Sequence, residues 1–139
     1  MSVESNKQLI EEYFETINRG NEQEIRALLS DDFLFESMLQ APKQFNFTWG
    51  PEQFAAAPRL MSAQMTKPIR IWIESMIGEG DKVSVESRSH GEMKSGKLYQ
   101  NVYHFLFTIR DGRITNAREY SCSYTANDCF GGFSEGSFE

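Results

Sequence analysis

Residues 83–120 read VSVESRSHGEMKSGKLYQNVYHFLFTIRDGRITNAREY, and this stretch decides the fold. Apolar and polar side chains alternate along it at period two, which is the spacing of a β-strand with two different faces. The tetrapeptides KSGK and RDGR interrupt the alternation and supply the Gly-containing turns that hairpins need. We therefore predict an antiparallel meander. Its strands, with one more before the quoted stretch, are 69–77, 82–93, 98–109 and 114–124.

The chain before this meander has the spacing of helices. Apolar side chains recur every three to four residues in its first segment, which Gly20 ends as a C-terminal cap would. Asn21 precedes Glu24 by three residues, as at the start of a capped second helix. Pro51 marks the first turn of a third helix, which Pro58 is expected to kink or divide.

Helices followed by an antiparallel meander form an α+β pattern. The 139 residues have the length of one domain, and with 40% hydrophobic and 13% aromatic residues they can build a core that encloses a pocket. We divide this single domain into a helical part at 1–30, a short strand and the third helix at 31–67, the meander at 68–125 and a Gly- and Ser-rich tail at 126–139.

Charge and composition exclude several classes of protein. Acidic residues outnumber basic ones by 20 to 14, so the chain would repel a nucleic acid. No apolar run approaches the roughly 18 residues of a membrane helix, and no basic segment followed by an apolar one opens the chain, so we expect a soluble, cytoplasmic protein without a membrane partner. Because the sequence has no phosphate loop, dinucleotide fingerprint or metal-ligand cluster, we expect neither a cofactor nor a metal.

The predicted strand 98–109 has apolar side chains on both faces. Tyr103, Phe105 and Phe107 lie on one face, and Val102 and Leu106 lie on the other. An antiparallel strand normally keeps one face in water, so a doubly apolar strand needs helices on one side and another sheet or subunit on the other. We therefore expect a homodimer through the sheet.

The order of the elements and the hairpin sequence around Tyr99, Asn101, Asp111, Gly112 and Arg118 resemble a known family. They are similar to SnoaL-like polyketide cyclases and ketosteroid-isomerase-like proteins of the nuclear transport factor 2-like superfamily, over most of residues 6–131. The resemblance implies a cone-shaped, curved antiparallel sheet, a half-barrel packed against N-terminal helices, around a ligand cavity and usually in a homodimer. Members isomerise, cyclise, hydrate, dehydrate or only bind, so the fold does not settle the reaction.

The resemblance also implies positions for a site. Steroid isomerases of this fold use a Tyr on the first helix, a carboxylate base at the end of the first strand and a second oxyanion donor. Tyr13 matches the first, the base position falls on Ser37, and the second donor falls near Tyr103. Since Ser37 carries no carboxylate, typical ketosteroid isomerisation is not expected.

One strand carries a row of candidate acid/base groups. Glu86, Arg88 and His90 share one face at period two and offer a carboxylate, a cation and a group that titrates near neutrality. In similar limonene-epoxide hydrolases, the final-strand Asp corresponds to Glu119, and an Arg and an Asp correspond approximately to Arg88 and Glu86 in reversed order. The resemblance places the row inside the cone, whereas alternation alone favours a solvated outer face.

Two functions of different classes follow. The first is a cofactor-independent enzyme of the isomerase, cyclase, dehydratase or hydrolase type, acting on a hydrophobic substrate that bears a carbonyl or hydroxyl group. Its proton-transfer candidates are Glu119, Glu86 and His90, with Arg88 to set the charge. The alternative is a non-catalytic ligand-binding or accessory dimer of the same fold. The residues that we expect to contact the ligand are Tyr13, Ser37, Trp49, Asn101, Tyr103 and Phe105.

Overall fold

The structure is a computed structural model, and it describes residues 2–131. Its helices are α1 (Val3–Arg19), α2 (Glu22–Ala27), α3 (Pro51–Ser62) and α4 (Ser123–Phe130), with a short 3₁₀ turn at Lys43–Phe45. Its strands are β1 (Leu29–Ser37), β2 (Thr48–Trp49), β3 (Arg70–Glu79), β4 (Lys82–Glu92), β5 (Leu98–Tyr99), β6 (Val102–Arg110) and β7 (Arg113–Ser121). They form one curled sheet in the order β2-β1-β7-β6-β4-β3, with β5 paired to the end of β4. This half-barrel with helices packed against it confirms the predicted α+β fold.

The helix boundaries follow the sequence signals. Gly20 ends α1 with a φ of 70°, a left-handed conformation that glycine adopts without a steric penalty. The Asn21 side chain accepts a hydrogen bond from the Glu24 backbone N–H at 3.1 Å and so caps α2. Pro58 lies inside α3, which continues to Ser62. The helix is therefore not divided at this proline, which removes only one backbone donor from the ladder.

Two predicted strands differ from the observed ones. The segment 98–109 is interrupted at 100–101, since β5 pairs only with the end of β4 whereas β6 pairs with both β4 and β7. The predicted strand 114–124 ends at Ser121, because Cys122 is the N-cap residue of α4. The tail that we predicted at 126–139 thus begins within α4, and its part beyond residue 131 lies outside the described residues.

β1 runs parallel to β7, whereas the other strand pairs of the described sheet are antiparallel. It begins at Leu29, so the strand starts two residues inside the part of the chain that we predicted to be helical, 1–30. Its register sets Ser37 directly beside Glu119, and the Met38 N–H donates to the Glu119 carbonyl at 2.9 Å. The end of the first strand and the end of the last strand therefore meet.

Two apolar clusters fill the space between the helices and the sheet. The larger cluster joins α1 and α3 to the sheet, and Ile10, Val83 and Phe107 are fully buried in it. The smaller cluster contains Tyr99 of β5 and Phe130 of α4. Within residues 2–131, no helix is long and apolar enough to cross a membrane.

Candidate functional site

A cavity of about 130 Å³ lies where these two clusters meet. Side chains from α1, α3, α4 and the inward face of the sheet line it, and most of them are aromatic or aliphatic. Among the described residues that line it, Glu119 is the one charged side chain. A concave apolar site with few polar groups is the usual form of a small-molecule site.

Glu119 is held in this cavity by β7. Its neighbours across the sheet are Phe105 on β6 and Ser37 on β1. The side chain is half-buried, its accessible part lies on the cavity wall, and its carboxyl makes no hydrogen bond or ion pair within residues 2–131. Loss of hydration raises the pKa of Glu119 to about 7. A carboxyl group with this pKa can both take and return a proton near neutral pH.

Tyr13 of α1 shares the cavity wall with Glu119. Its ring stacks on Phe54 with centroids 5.8 Å apart and meets Phe107 edge-on at 5.7 Å, so packing fixes its position. Its hydroxyl has no hydrogen-bond partner among the described residues. Burial, followed by the charge of Glu119, raises the pKa of Tyr13 well above its ordinary value. Tyr13 is therefore a neutral O–H donor close enough to Glu119 to sense its charge.

Tyr103 belongs to a chain of buried hydroxyl groups. Its hydroxyl lies 2.8 Å from that of Tyr99 and 2.8 Å from the Ser89 Oγ, and the Asn101 Nδ2 donates to the Tyr99 hydroxyl at 3.0 Å. Both tyrosines line the cavity, whereas Asn101 stands behind them. Burial is the main reason that the pKa of each tyrosine is raised, which keeps both phenols protonated.

The other predicted contact residues also surround the cavity. Phe105 stacks between Tyr103 and Phe107 with centroid distances of 5.4 Å on both sides. The Ser37 hydroxyl donates to the Phe45 carbonyl, so its proton is not available for a hydrogen bond to a ligand. Trp49 lines the cavity, and its buried Nε1–H has no hydrogen-bond partner among residues 2–131. Of the six residues that we predicted to contact a ligand, five line this cavity and Asn101 lies directly behind its wall.

The row on β4 lies on the opposite side of the sheet. Glu86 is exposed and accepts a hydrogen bond from the Ser75 hydroxyl at 2.6 Å, Arg88 pairs with Glu74 at 3.0 Å, and His90 lies 3.3 Å from the Gln100 amide. The residues on the alternate face of β4, Val83, Val85, Ser87 and Ser89, are the buried ones. The implied position of this row inside the cone is therefore corrected: apolar packing turns the alternate face of β4 inward, and the row does not meet Glu119.

Sequence reasoning missed Tyr99 as a site residue. The period-two spacing of Tyr99, Asn101 and Tyr103 could have identified it, because this spacing puts all three residues on one side of an extended chain. Within the described part of the chain, no three His, Cys, Asp or Glu side chains are close enough to hold a metal ion.

Solved structures with the same architecture define the class of fold. PrhC from Penicillium brasilianum superimposes with a TM-score of 0.81 at 13% identity, over 91% of this chain and 86% of that one. An NTF2-like protein from Burkholderia xenovorans matches with a TM-score of 0.70 at 23% identity, over 93% and 98%. A Catenulispora acidiphila protein of ketosteroid isomerase-like fold, solved with trimethylamine, matches with a TM-score of 0.74 at 17% identity, over 88% and 92%. At these identities the likeness shows the fold alone.

The family is shown by sequence. The model of the SnoaL-like domain matches residues 10–117, which is most of the chain, and the protein belongs to this family. Polyketide cyclases and isomerases are among the proteins of this fold. A search of functionally curated proteins finds no match.

Proposed function

We propose that this SnoaL-like protein is a cofactor-independent enzyme that moves protons on a small hydrophobic substrate with a carbonyl or hydroxyl group. The observation that carries the proposal is the single carboxyl of Glu119 in an aromatic cavity, with its pKa raised to about 7. Strongly perturbed titratable groups in clefts are common at sites of acid/base catalysis. Isomerisation, cyclisation, dehydration and hydration all need such a transfer.

The chemistry follows from the positions of the polar groups. The Glu119 carboxylate takes a proton from the carbon next to a substrate carbonyl, and the electron pair of that C–H bond moves toward the carbonyl oxygen. Neutral O–H donors such as Tyr13 stabilise the negative charge that develops on this oxygen. Protonated Glu119 then returns its proton, to the same carbon or to another one. The apolar walls exclude water and strengthen these interactions.

The cavity volume limits the substrate. A cavity of about 130 Å³ is close in size to an engineered 150 Å³ protein cavity that accepts benzene. We therefore propose a substrate whose buried part is about one ring, with its oxygen directed at the polar wall formed by Glu119, Tyr13 and Tyr103.

Proton exchange tests this function without knowledge of the natural substrate. Acetophenone and 2-cyclohexen-1-one are single-ring ketones with exchangeable protons next to the carbonyl. In deuterium oxide, the protein is expected to speed deuterium uptake above the buffer rate, and the rate should rise as the pH passes through about 7, where Glu119 becomes ionised. Mass spectrometry of the recovered ketone measures the uptake.

Two variants on the outer face of β4 are matched controls for this assay. Glu86→Gln and Arg88→Ala change exposed groups that do not line the cavity, so both should exchange like the parent protein. Ketones that bind in the cavity without any accelerated exchange would contradict the enzymatic proposal.

The second candidate function is a ligand-binding protein of the same fold. The observation in its favour is Ser37, which lies where steroid isomerases of this fold carry their base and whose hydroxyl is already bonded to the Phe45 carbonyl. Binding without exchange is the result expected for this candidate.

We also propose that two copies associate through the outer face of the sheet. Trp72, Val102 and Tyr120 on this face keep 42%, 46% and 42% of their surface exposed. On this face, Trp72 of β3 and Val102 of β6 lie on either side of Arg88 of β4. The exposed apolar groups therefore extend across neighbouring strands. Exposed apolar groups of this kind are typical of an interface.

Lysine substitution on this face is expected to separate the dimer. Trp72→Lys and Val102→Lys replace the apolar groups on either side of Arg88 with further positive charges, and together they should yield a particle of half the mass by sedimentation velocity. Tyr124→Lys on α4, where the native side chain is 80% exposed, should leave the mass unchanged. A parent protein that sediments as a monomer at micromolar concentration refutes this association.

A further inference from the structure

The amide of Asn101 has one orientation that its surroundings allow. Asn101 is buried in the break between β5 and β6, and its Oδ1 accepts hydrogen bonds from the backbone N–H of Val102 at 2.8 Å and of Cys122 at 3.1 Å. Backbone N–H groups only donate, so the amide oxygen must face them. The amide nitrogen consequently faces the other way, toward Tyr99.

This orientation sets the role of the next group. The Asn101 Nδ2 donates to the Tyr99 hydroxyl at 3.0 Å and to the Cys122 carbonyl at 3.3 Å. An amide nitrogen cannot accept a hydrogen bond, so the Tyr99 oxygen is the acceptor. The Tyr99 proton must then be donated elsewhere.

The chain of hydroxyl groups has one more proton than it has hydrogen bonds. Tyr99, Tyr103 and Ser89 have three hydroxyl protons, and two hydrogen bonds of 2.8 Å join them in that order. One proton is left over. If it stays on Ser89, which is 2% exposed, it has no acceptor among the described residues; if it stays on Tyr99 or Tyr103, it is on the cavity wall. An unsatisfied buried donor is unfavourable, so a ligand oxygen in the cavity favours the phenol positions.

We infer that Asn101 is a positioning residue that directs the Tyr99–Tyr103–Ser89 chain so that this chain presents one phenolic O–H to an acceptor oxygen of the ligand in the cavity. The ligand class that fits is a carbonyl compound, and a hydrocarbon of the same shape leaves the proton unsatisfied. This inference deepens the proposed function, since it concerns the same cavity. It concerns the hydroxyl groups of Tyr99, Tyr103 and Ser89, whereas that proposal rests on the carboxyl of Glu119.

The Asn101→Asp variant is expected to remove the phenolic O–H donor from the cavity without changing the shape of the side chain at position 101. The two backbone N–H groups favour an ionised Asp at position 101, and a carboxylate accepts the Tyr99 proton instead of donating to Tyr99. Three protons then serve three hydrogen bonds, and none is left for a ligand. Adding Tyr99→Phe should restore the donor, because Tyr103 and Ser89 again have two protons for one bond.

Acetophenone labelled with ¹³C at the carbonyl reports on this donor directly. Because Tyr13 is a second O–H donor on the cavity wall, every protein in this test carries Tyr13→Phe. The C=O stretch at pH 8 should shift to lower wavenumber in this Tyr13→Phe reference protein, show no such shift when Asn101→Asp is added, and shift again when Asn101→Asp and Tyr99→Phe are both added. Titration with α-methylstyrene, which has CH₂ in place of the carbonyl oxygen, gives the affinity for a ligand of the same shape that has no acceptor oxygen. The Tyr13→Phe reference protein should prefer acetophenone by up to about tenfold, and in the variants this preference should follow the infrared shift.

Single phenol variants keep the test decisive if Asn101→Asp does not fold by circular dichroism. In the same Tyr13→Phe reference protein, Tyr99→Phe and Tyr103→Phe should each keep the infrared shift, because a phenolic proton remains available in either case, whereas Tyr99→Phe and Tyr103→Phe together should abolish it. The inference is overturned if either single phenol substitution abolishes the shift, if a folded Asn101→Asp protein in the Tyr13→Phe background retains it, or if the Tyr13→Phe reference protein shows none. Since this readout involves no turnover, it stands or fails independently of proton exchange.

Discussion

The Glu119→Gln variant is expected to lose proton exchange on single-ring ketones by about 10²–10⁴-fold, the usual contribution of a positioned acid or base. Glutamine keeps the size of the side chain and removes its titration. Because the cavity contains no other charged side chain among the described residues, no neighbour can take over the proton. Mass spectrometry of deuterium uptake measures the loss. Exchange at the parental rate would exclude Glu119 as the base.

The same variant is expected to be more stable than the parent protein at alkaline pH. Folding raises the pKa of Glu119 from 4.5 to about 7, so the folded state holds a proton that the unfolded state has released between these two values. The free energy of unfolding therefore falls as the pH rises through this window. The full shift corresponds to about 3 kcal/mol at pH 8, and Glu119→Gln should recover most of it. Urea denaturation between pH 5 and 8 measures the difference.

A neighbouring carboxyl group supplies the control with the opposite sign. Glu36 lies on β1 one residue before Ser37, and its hydrogen bond with Arg118 at 2.9 Å lowers the pKa of Glu36. Its stabilising contribution is present above pH 4.5 and is lost as the pH falls through the folded pKa. Glu36→Gln should therefore lower the stability at pH 8, by less than about 1 kcal/mol for a partly exposed pair. Equal pH profiles for both variants would contradict the assignment of Glu119.

Phe54→Ala is expected to cost about 3–5 kcal/mol of stability, as truncation of a buried Phe usually does. Phe54 is 6% exposed, and its ring lies 4.8 Å from that of Phe33, 4.9 Å from that of Phe35 and 5.8 Å from that of Tyr13. Removal of this ring takes away contacts with all three. Urea denaturation gives the loss, which we expect near the lower limit because the ring already borders empty space.

The same truncation should change the size of ligand that the cavity accepts. The parent protein is expected to bind acetophenone more tightly than the two-ring ketone 2-acetonaphthone, and Phe54→Ala should reverse this order. At a ligand concentration 100 times the Kd, 2-acetonaphthone should return about 2.7 kcal/mol of stability to the variant. Leu98→Ala, at an apolar side chain that is 53% exposed, should change neither stability nor ligand order. Unchanged ligand order in Phe54→Ala would place the ligand elsewhere.

Local sequence signals predicted the elements well because the relevant interactions are local. The left-handed Gly20, the side-chain cap at Asn21 and the turn in which Asp111 and Gly112 both have positive φ are each determined by a few neighbouring residues. The break at 100–101 was not predictable in this way. It depends on the Asn101 side chain bonding to Cys122, which is distant in sequence and adjacent only in the folded sheet.

The side of a strand is a different question from its existence. Period two tells which residues share a face of β4, but both faces of that strand have the same period, and the resemblance favoured the wrong one for Glu86, Arg88 and His90. Glu119 was singled out correctly, because the resemblance matched it to the final-strand Asp of limonene-epoxide hydrolases, and the structure places it on the cavity wall. The raised pKa of Glu119 was beyond sequence reasoning, since it results from desolvation by a cavity that three helices and the sheet build together.

The parallel pairing of β1 with β7 has a consequence for the order of assembly during synthesis. Ser37 emerges from the ribosome more than 80 residues before its partner Glu119, so this seam of the cavity stays open until the last strand has been made. Pairing between segments so distant in sequence also forms slowly, because a long loop must close first. A nascent chain that ends before β7 presents Phe35 and Trp49 on an unclosed surface. A ligand of the proposed site would therefore stabilise the protein only after the final strand has been translated.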